Sequence, residues 1–236
     1  MEMKDIYFNR VSKIYAQTTV YDNFSLSLEE GKITCLLGPS GCGKTTLLNM
    51  LAGLTPYEGT IENVPPRISY IFQEERLLPN LTVRQNVALV LGKNADARRV
   101  DAYLEKAELL EKANAYPAEL SGGQAQRVSV ARAFAYPSDL ILMDEPFSSL
   151  DTALKIRLIR VFCDLWREER RTAVFVTHDA EEAYMLSHRA LVIKNGSVAA
   201  DIGGDAAVPR PYGAVSDYKN RILSALLADE SGTAGG

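Results

Sequence analysis

The chain has 236 residues, 47% of them apolar, enough for one large domain or for one domain carrying an inserted subdomain. Its formal net charge is −4 and its Arg98-Arg99 and Arg170-Arg171 pairs are isolated, which excludes nucleic acid as a partner on electrostatic grounds. Three cysteines (Cys35, Cys42, Cys163), an N-terminus without an apolar h-region and no apolar run near the roughly 18 residues of a membrane span predict a cytoplasmic chain, held at any membrane by another protein.

In chain order, alternating segments at 6–11 and 24–28 predict two antiparallel strands. The continuous apolar run 33–37 (ITCLL) ends at glycine and predicts a buried central strand. Leu47, Leu48 and Leu51 mark a helix that stops near Gly53, and 68–72 predicts another strand. From 83 to 116 the pattern is helical. Val100, Tyr103, Leu104, Ala107 and Leu110 share one face of a helix that starts at Asp96. Strands return at 140–143, 173–177 and 190–193. A helix between the first two carries Leu154, Leu158, Val161, Phe162 and Leu165 on one face. This alternation implies a parallel sheet with covering helices. Pro209-Arg210-Pro211 breaks the chain, 218–227 predicts a last helix, and the tail SGTAGG predicts disorder.

Gly38, Pro39, Ser40, Gly41, Cys42, Gly43, Lys44 and Thr45 match the phosphate loop at full spacing, between a buried strand and a helix. Glycines leave backbone N–H groups free to point at phosphates, Lys44 suits the β- and γ-phosphates, and the Thr45 hydroxyl suits Mg²⁺. The alternative is a glycine-rich turn. Asp144 and Glu145 end an apolar strand. Asp144 there can hold Mg²⁺ and Glu145 can face an attacking water, or the pair can be a solvated acidic turn. His178 ends another strand at the carboxyl edge of a parallel sheet, where ligands bind. His188 is assigned to structure or surface. Gln73 follows a strand into the helical block, and its amide can reach Mg²⁺ or serve as polar surface. Leu120–Arg127, LSGGQAQR, is a second anion site: a Gly-Gly turn before a helix N-terminus.

LSGGQAQR, together with GPSGCGKTT, ILMDEP, SSLD (148–151) and VTH, resembles the ATPase subunit of an ABC transporter over nearly the whole chain. The resemblance implies an α/β P-loop NTPase with a RecA-like, mainly parallel core, N-terminal antiparallel strands and an inserted helical subdomain at about 83–136. It implies a single ABC ATPase domain over 1–236 with a short tail from 205. Gly38 to Thr46 become the Walker A loop, with Thr46 its last residue. Gln73 becomes the Q-loop. Ser121, Gly122, Gly123 and Gln124 become the signature. Asp144 becomes the Walker B aspartate, Glu145 the catalytic glutamate, Asp151 the D-loop residue and His178 the switch histidine. Tyr15 sits where the family stacks an aromatic on adenine, a position that a core or surface tyrosine also explains. ATP and Mg²⁺ are the implied cofactors. The implied partners are a second copy arranged head to tail, membrane permease subunits and, indirectly, a solute-binding protein. The signature of one copy then closes on the ATP of the other, which explains two anion sites in one chain.

FQEERLLPNLTVRQNV (72–87) and the tail at 208–223 resemble the nitrate/sulfonate/taurine import group, with Asn80 where that group has tryptophan, which leaves a thiamine precursor or another small organic solute open. The alternatives are a soluble ABC ATPase of DNA repair or translation and an exporter ATPase. Single-unit length, acidity and the absence of sustained heptads weigh against the soluble one.

Overall fold

A computed structural model describes residues 4–94, 96–148, 150–204 and 208–228. Ser149 of the SSLD motif and the SGTAGG tail lie outside the described residues. The chain forms two compact units, one from the segments up to Pro66 and from Thr172 onward, the other from Arg67–Arg171.

In the first unit, β1 (Ile6–Tyr15) lies between β2 (Thr18–Leu28) and β4 (Glu58–Glu62) in an antiparallel sheet. Both predicted strands run longer than expected, because register shifts at Phe8/Val11 and Val11/Lys13 interrupt the alternation that marks a strand in sequence. Ile6, Phe8, Val11, Tyr21, Phe24 and Leu28 fill the buried face. Phe24 meets Phe8 edge-on at 6.2 Å between centroids, and Tyr21 at 4.7 Å. β3 (Ile33–Leu37) is buried along its whole length between two parallel neighbours, β7 (Thr172–Thr177) and β8 (Arg189–Lys194). β8 turns back into antiparallel β9 (Ser197–Gly203) through Asn195-Gly196, where φ is 47° and 71°. Two successive positive φ values are the signature of a tight type I′ hairpin. The helices of this unit are α1 (Lys44–Leu51), α6 (Ala180–Leu186) and α7 (Asp217–Leu227), with α7 packed on α6 and β9.

In the second unit, β5 (Ile68–Ile71) pairs in parallel with β6 (Leu140–Asp144). The segment between them is helical: α2 (Val83–Ala88), a 3₁₀ stretch Leu89–Asn94 kinked at Gly92, α3 (Ala97–Lys106) and α4 (Gly122–Ala135). Asp96 caps α3 as expected, accepting from Arg98 N at 2.9 Å. Val100, Tyr103, Leu104 and Ala107 are buried, but Leu110 is 42% exposed because α3 ends at Lys106 and a 3₁₀ turn redirects it. α5 (Thr152–Glu169) buries Leu158, Val161, Phe162 and Leu165 and packs on α4. Arg171 satisfies the end of α4, donating to the carbonyls of Phe134 and Tyr136 at 2.9 and 2.8 Å.

The fold is therefore α/β, with parallel strands flanking β3, a parallel β5–β6 pair and an antiparallel N-terminal sheet. No helix among the described residues is long and apolar enough to cross a membrane.

Candidate nucleotide site

Register brings two of the candidate residues of the first unit together. Leu37 and Thr177 are partners on the adjacent parallel strands β3 and β7, so Gly38 and His178 are the next residues at one carboxyl edge. Gly38 has φ 148°, and a Cβ there would lie 2.2 Å from the Ile193 carbonyl oxygen. Gly43, at φ 102°, would drive a Cβ to 2.6 Å from Val20 and 2.7 Å from the Tyr21 hydroxyl. Gly41 also has positive φ but open space beside it. Backbone geometry and close packing thus require glycine at Gly38 and Gly43.

Lys44 is 5% exposed and folds back over the loop. Its Nζ donates to the carbonyls of Gly38 and Pro39, each at 2.8 Å, with the Cys42 sulfur 3.8 Å away. Gly43 caps α1 without a side-chain bond, and a helix N-terminus favours an anion. Thr45 is exposed at this end, and Thr46 follows half-buried. Burial pushes up the thiol of Cys35, with the Glu182 carboxylate adding to the effect, and it pushes up the Tyr21 phenol, with Cys42 adding.

His178 is exposed just beyond β7. His188 is buried, and its Nδ1 accepts from Ile33 N at 3.1 Å, a structural tie. Tyr15 ends β1 and is 44% exposed. Lys13 Nζ lies 4.4 Å from the Tyr15 ring centroid, and the Tyr15 hydroxyl is 3.3 Å from Thr55 Oγ1.

The second unit carries its own set of candidate residues. Asp144 closes β6 half-buried, and burial together with its charge holds the Tyr70 phenol well above the usual range. Glu145 has φ 44°, a left-handed conformation that costs a non-glycine residue free energy and is held where surrounding structure demands it. Gln73 Nε2 donates to Ser148 Oγ at 3.4 Å, and Ser148 Oγ donates to the Glu145 carbonyl at 3.1 Å. Ser148 therefore ties Gln73 to the turn after β6, a link that residue types alone did not suggest.

Two further residues missed by pattern hold the Q-loop segment. Arg132 donates to the carbonyls of Glu75 and Arg76 at 2.8 and 2.9 Å, and burial lowers its pKa. Asn86 is fully buried, accepts from Leu78 N at 2.8 Å and donates to Leu81 O at 3.0 Å.

Ser121 caps α4 in a reciprocal box. Its Oγ accepts from Gln124 N at 3.3 Å, while Gln124 Oε1 accepts from Ser121 N at 2.9 Å. A Cβ on Gly123 would come to 3.1 Å from Leu154, but one on Gly122 would meet nothing within 4 Å. Asp151 caps α5, accepting from Leu154 N at 3.0 Å.

Among the described residues, no group of three or more His, Cys, Asp or Glu side chains could hold a metal unaided. Mg²⁺ requires no such cage: it keeps waters, takes phosphate oxygens and uses one or two protein oxygens. Hydroxyl, amide and carboxylate oxygens, the kinds of donor that Thr45, Gln73 and Asp144 each carry, are of the hard type that suits it.

Comparison with known proteins agrees with these features. The family model described as ABC transporter matches residues 21–148. The aliphatic sulfonates import ATP-binding protein SsuB of Burkholderia ambifaria is 43% identical over 234 residues, covering 95% of this chain and 72% of that protein. SsuB 1 of Pseudomonas fluorescens is 41% identical over 218 residues, covering 92% and 83%. The dimeric structure of MJ0796, a bacterial ABC transporter cassette, matches with a TM-score of 0.74 at 31% identity, covering 84% of this chain and 98% of that one. A post-hydrolysis state of MJ0796 bound to ADP and Pi matches equally. The chain belongs to the ABC transporter family and is one of its ATP-hydrolysing cassettes.

Proposed function

We propose that this ATPase energises import of a small organic anion, an aliphatic sulfonate, through separate membrane permease subunits. The observation that carries the ATPase half is the phosphate loop: Gly38 and Gly43, which leave no room for a Cβ, a buried Lys44 bent over the loop and an α1 N-terminus with no side-chain cap. The import half is supported by the 41–43% identity to proteins named as aliphatic sulfonates importers and by the 72–87 segment. On this reading the chain works at the inner face of the membrane, held there by the permease, and a solute-binding protein delivers the solute.

In this reading Gly38 to Thr46 cradle the phosphates, Tyr15 stacks on adenine, and Thr45, Gln73 and Asp144 supply oxygens to Mg²⁺. When bound, Mg²⁺ neutralises charge that develops on the β- and γ-phosphates. Glu145 orients the attacking water and accepts its proton. His178 donates to the γ-phosphate. Residues 83–136 serve as the signature subdomain. Its turn, Ser121 to Gln124, acts on the nucleotide of a second copy arranged head to tail, with Asp151 at the same interface. Gly122 is compatible with this: a Cβ there would meet nothing within 4 Å in its own chain, so the face of the turn is open to a ligand. The segment 74–80, with Leu78 41% exposed and its backbone held by Asn86, is the proposed permease contact.

The test is uptake into vesicles that carry the chain with its co-purified membrane partners and binding protein. ATP-dependent accumulation of labelled ethanesulfonate, lost in Lys44→Ala, is the expected result. Accumulation of nitrate with none of ethanesulfonate would contradict the solute class. Outward movement would contradict import.

A further inference from the structure

The helix after His178 carries a buried carboxylate that none of the roles above uses. Glu182 in α6 is 2% exposed. A carboxylate removed from water costs several kcal/mol unless it is hydrogen-bonded. Glu182 Oε2 accepts from the Thr177 hydroxyl, which is itself 2% exposed at the end of β7. The same Thr177 oxygen accepts from Asp179 N at 3.0 Å. Asp179 then caps α6, its Oδ1 accepting from Glu181 N at 2.8 Å. The residues on either side of His178 therefore share one hydroxyl, and Glu182 sets the direction of that hydroxyl. Its neighbour Glu181 does something different: it pairs with Lys219 and accepts from Gly213 N, which ties down the C-terminal segment.

We infer that Glu182 is a positioning residue for His178: it orients the Thr177 hydroxyl, which pins the backbone on both sides of the exposed imidazole at the phosphate edge of the sheet. The inference rests on the reading of His178 as the γ-phosphate donor. Glu182 touches no nucleotide and transfers no proton. Its carboxylate fixes where the imidazole stands, and a misplacement of about 1 Å at a reacting group can cost about 100-fold in rate.

The experiment uses the purified full chain and measures ATP turnover, ATP affinity and thermal stability. The variants are Glu182→Ala, Glu182→Gln and Thr177→Val, each made with His178 intact and with His178→Ala. Glu182→Ala and Thr177→Val are expected to lower turnover about 10- to 100-fold while ATP affinity stays within about two-fold. Glu182→Gln, which keeps an acceptor oxygen, is expected to restore most of the rate. In the His178→Ala background Glu182→Ala is expected to cost nothing further. A residue that matters only for stability would lower the melting temperature without that dependence on His178. Native turnover in both Glu182→Ala and Thr177→Val, or an equal further loss on top of His178→Ala, overturns the inference and leaves the role of His178 intact. Native turnover in His178→Ala removes the switch role and this inference with it. If Glu182→Ala does not fold, Thr177→Val, which preserves the strand's shape, decides.

Discussion

The two glycine-rich turns of this chain have opposite local logic. At the phosphate loop, glycine is demanded from within: the Ile193 carbonyl stands 2.2 Å from where a Gly38 side chain would begin, and Tyr21 and Val20 crowd Gly43. At the signature turn, Gly122 has empty space around it, and the cap is completed by Ser121 and Gln124 alone. Gly38 and Gly43 are required by their own fold, whereas Gly122, like Gly41 inside the phosphate loop, is not.

The largest expected effect separates binding from chemistry. Glu145→Gln keeps the shape beside β6 and leaves both turns untouched, yet removes the base. Turnover should fall about 10²- to 10⁴-fold with ATP binding retained. Gel filtration should show an ATP-stabilised dimer where the unmodified chain with ADP runs as a monomer. Native turnover would take Glu145 out of the catalytic role.

The glycines themselves come next. Gly38→Ala should cost about 2–4 kcal/mol of stability through overpacking and backbone strain, and ATP binding should be lost with it. Gly122→Ala should leave stability unchanged or raise it by up to about 1 kcal/mol, because alanine suits a helix better than glycine. Its ATP binding should match the unmodified chain, while hydrolysis by the assembled pair drops. Thermal melts with a nucleotide titration check both. Equal destabilisation by the two substitutions would erase the contrast between the turns.

Much of this was legible in the sequence, and the exceptions have physical causes. The strand at 33–37 and the Asp96 cap are local signals, a continuous apolar run and a capping side chain, and both stand where expected. β4 was not expected because EGTIE is a short edge strand with only Ile61 half-buried, so it has no alternation to read. α4 buries residues nearly all round from Gln126 to Ala135, which flattens its helical periodicity. α6 is too short for a period. The Asn195-Gly196 hairpin was readable from its dipeptide, but the predicted strand stopped before it. In the site, the phosphate loop and the strand-end residues follow from motif and context. The supports do not: Ser148, Asn86, Arg132 and Glu182 act through hydrogen bonds to residues on another turn or distant in sequence, which no local pattern encodes.

The central claim, that each signature turn serves the partner's nucleotide, is tested most directly by mixing two dead chains. Lys44→Ala damages a chain's own cradle, and Ser121→Arg damages the surface it offers to its neighbour. A mixed pair holds one doubly damaged site and one intact site. ATP hydrolysis should therefore reappear on mixing, at a level neither preparation reaches alone. Activity that stays at the sum of the two separate preparations would contradict the shared site.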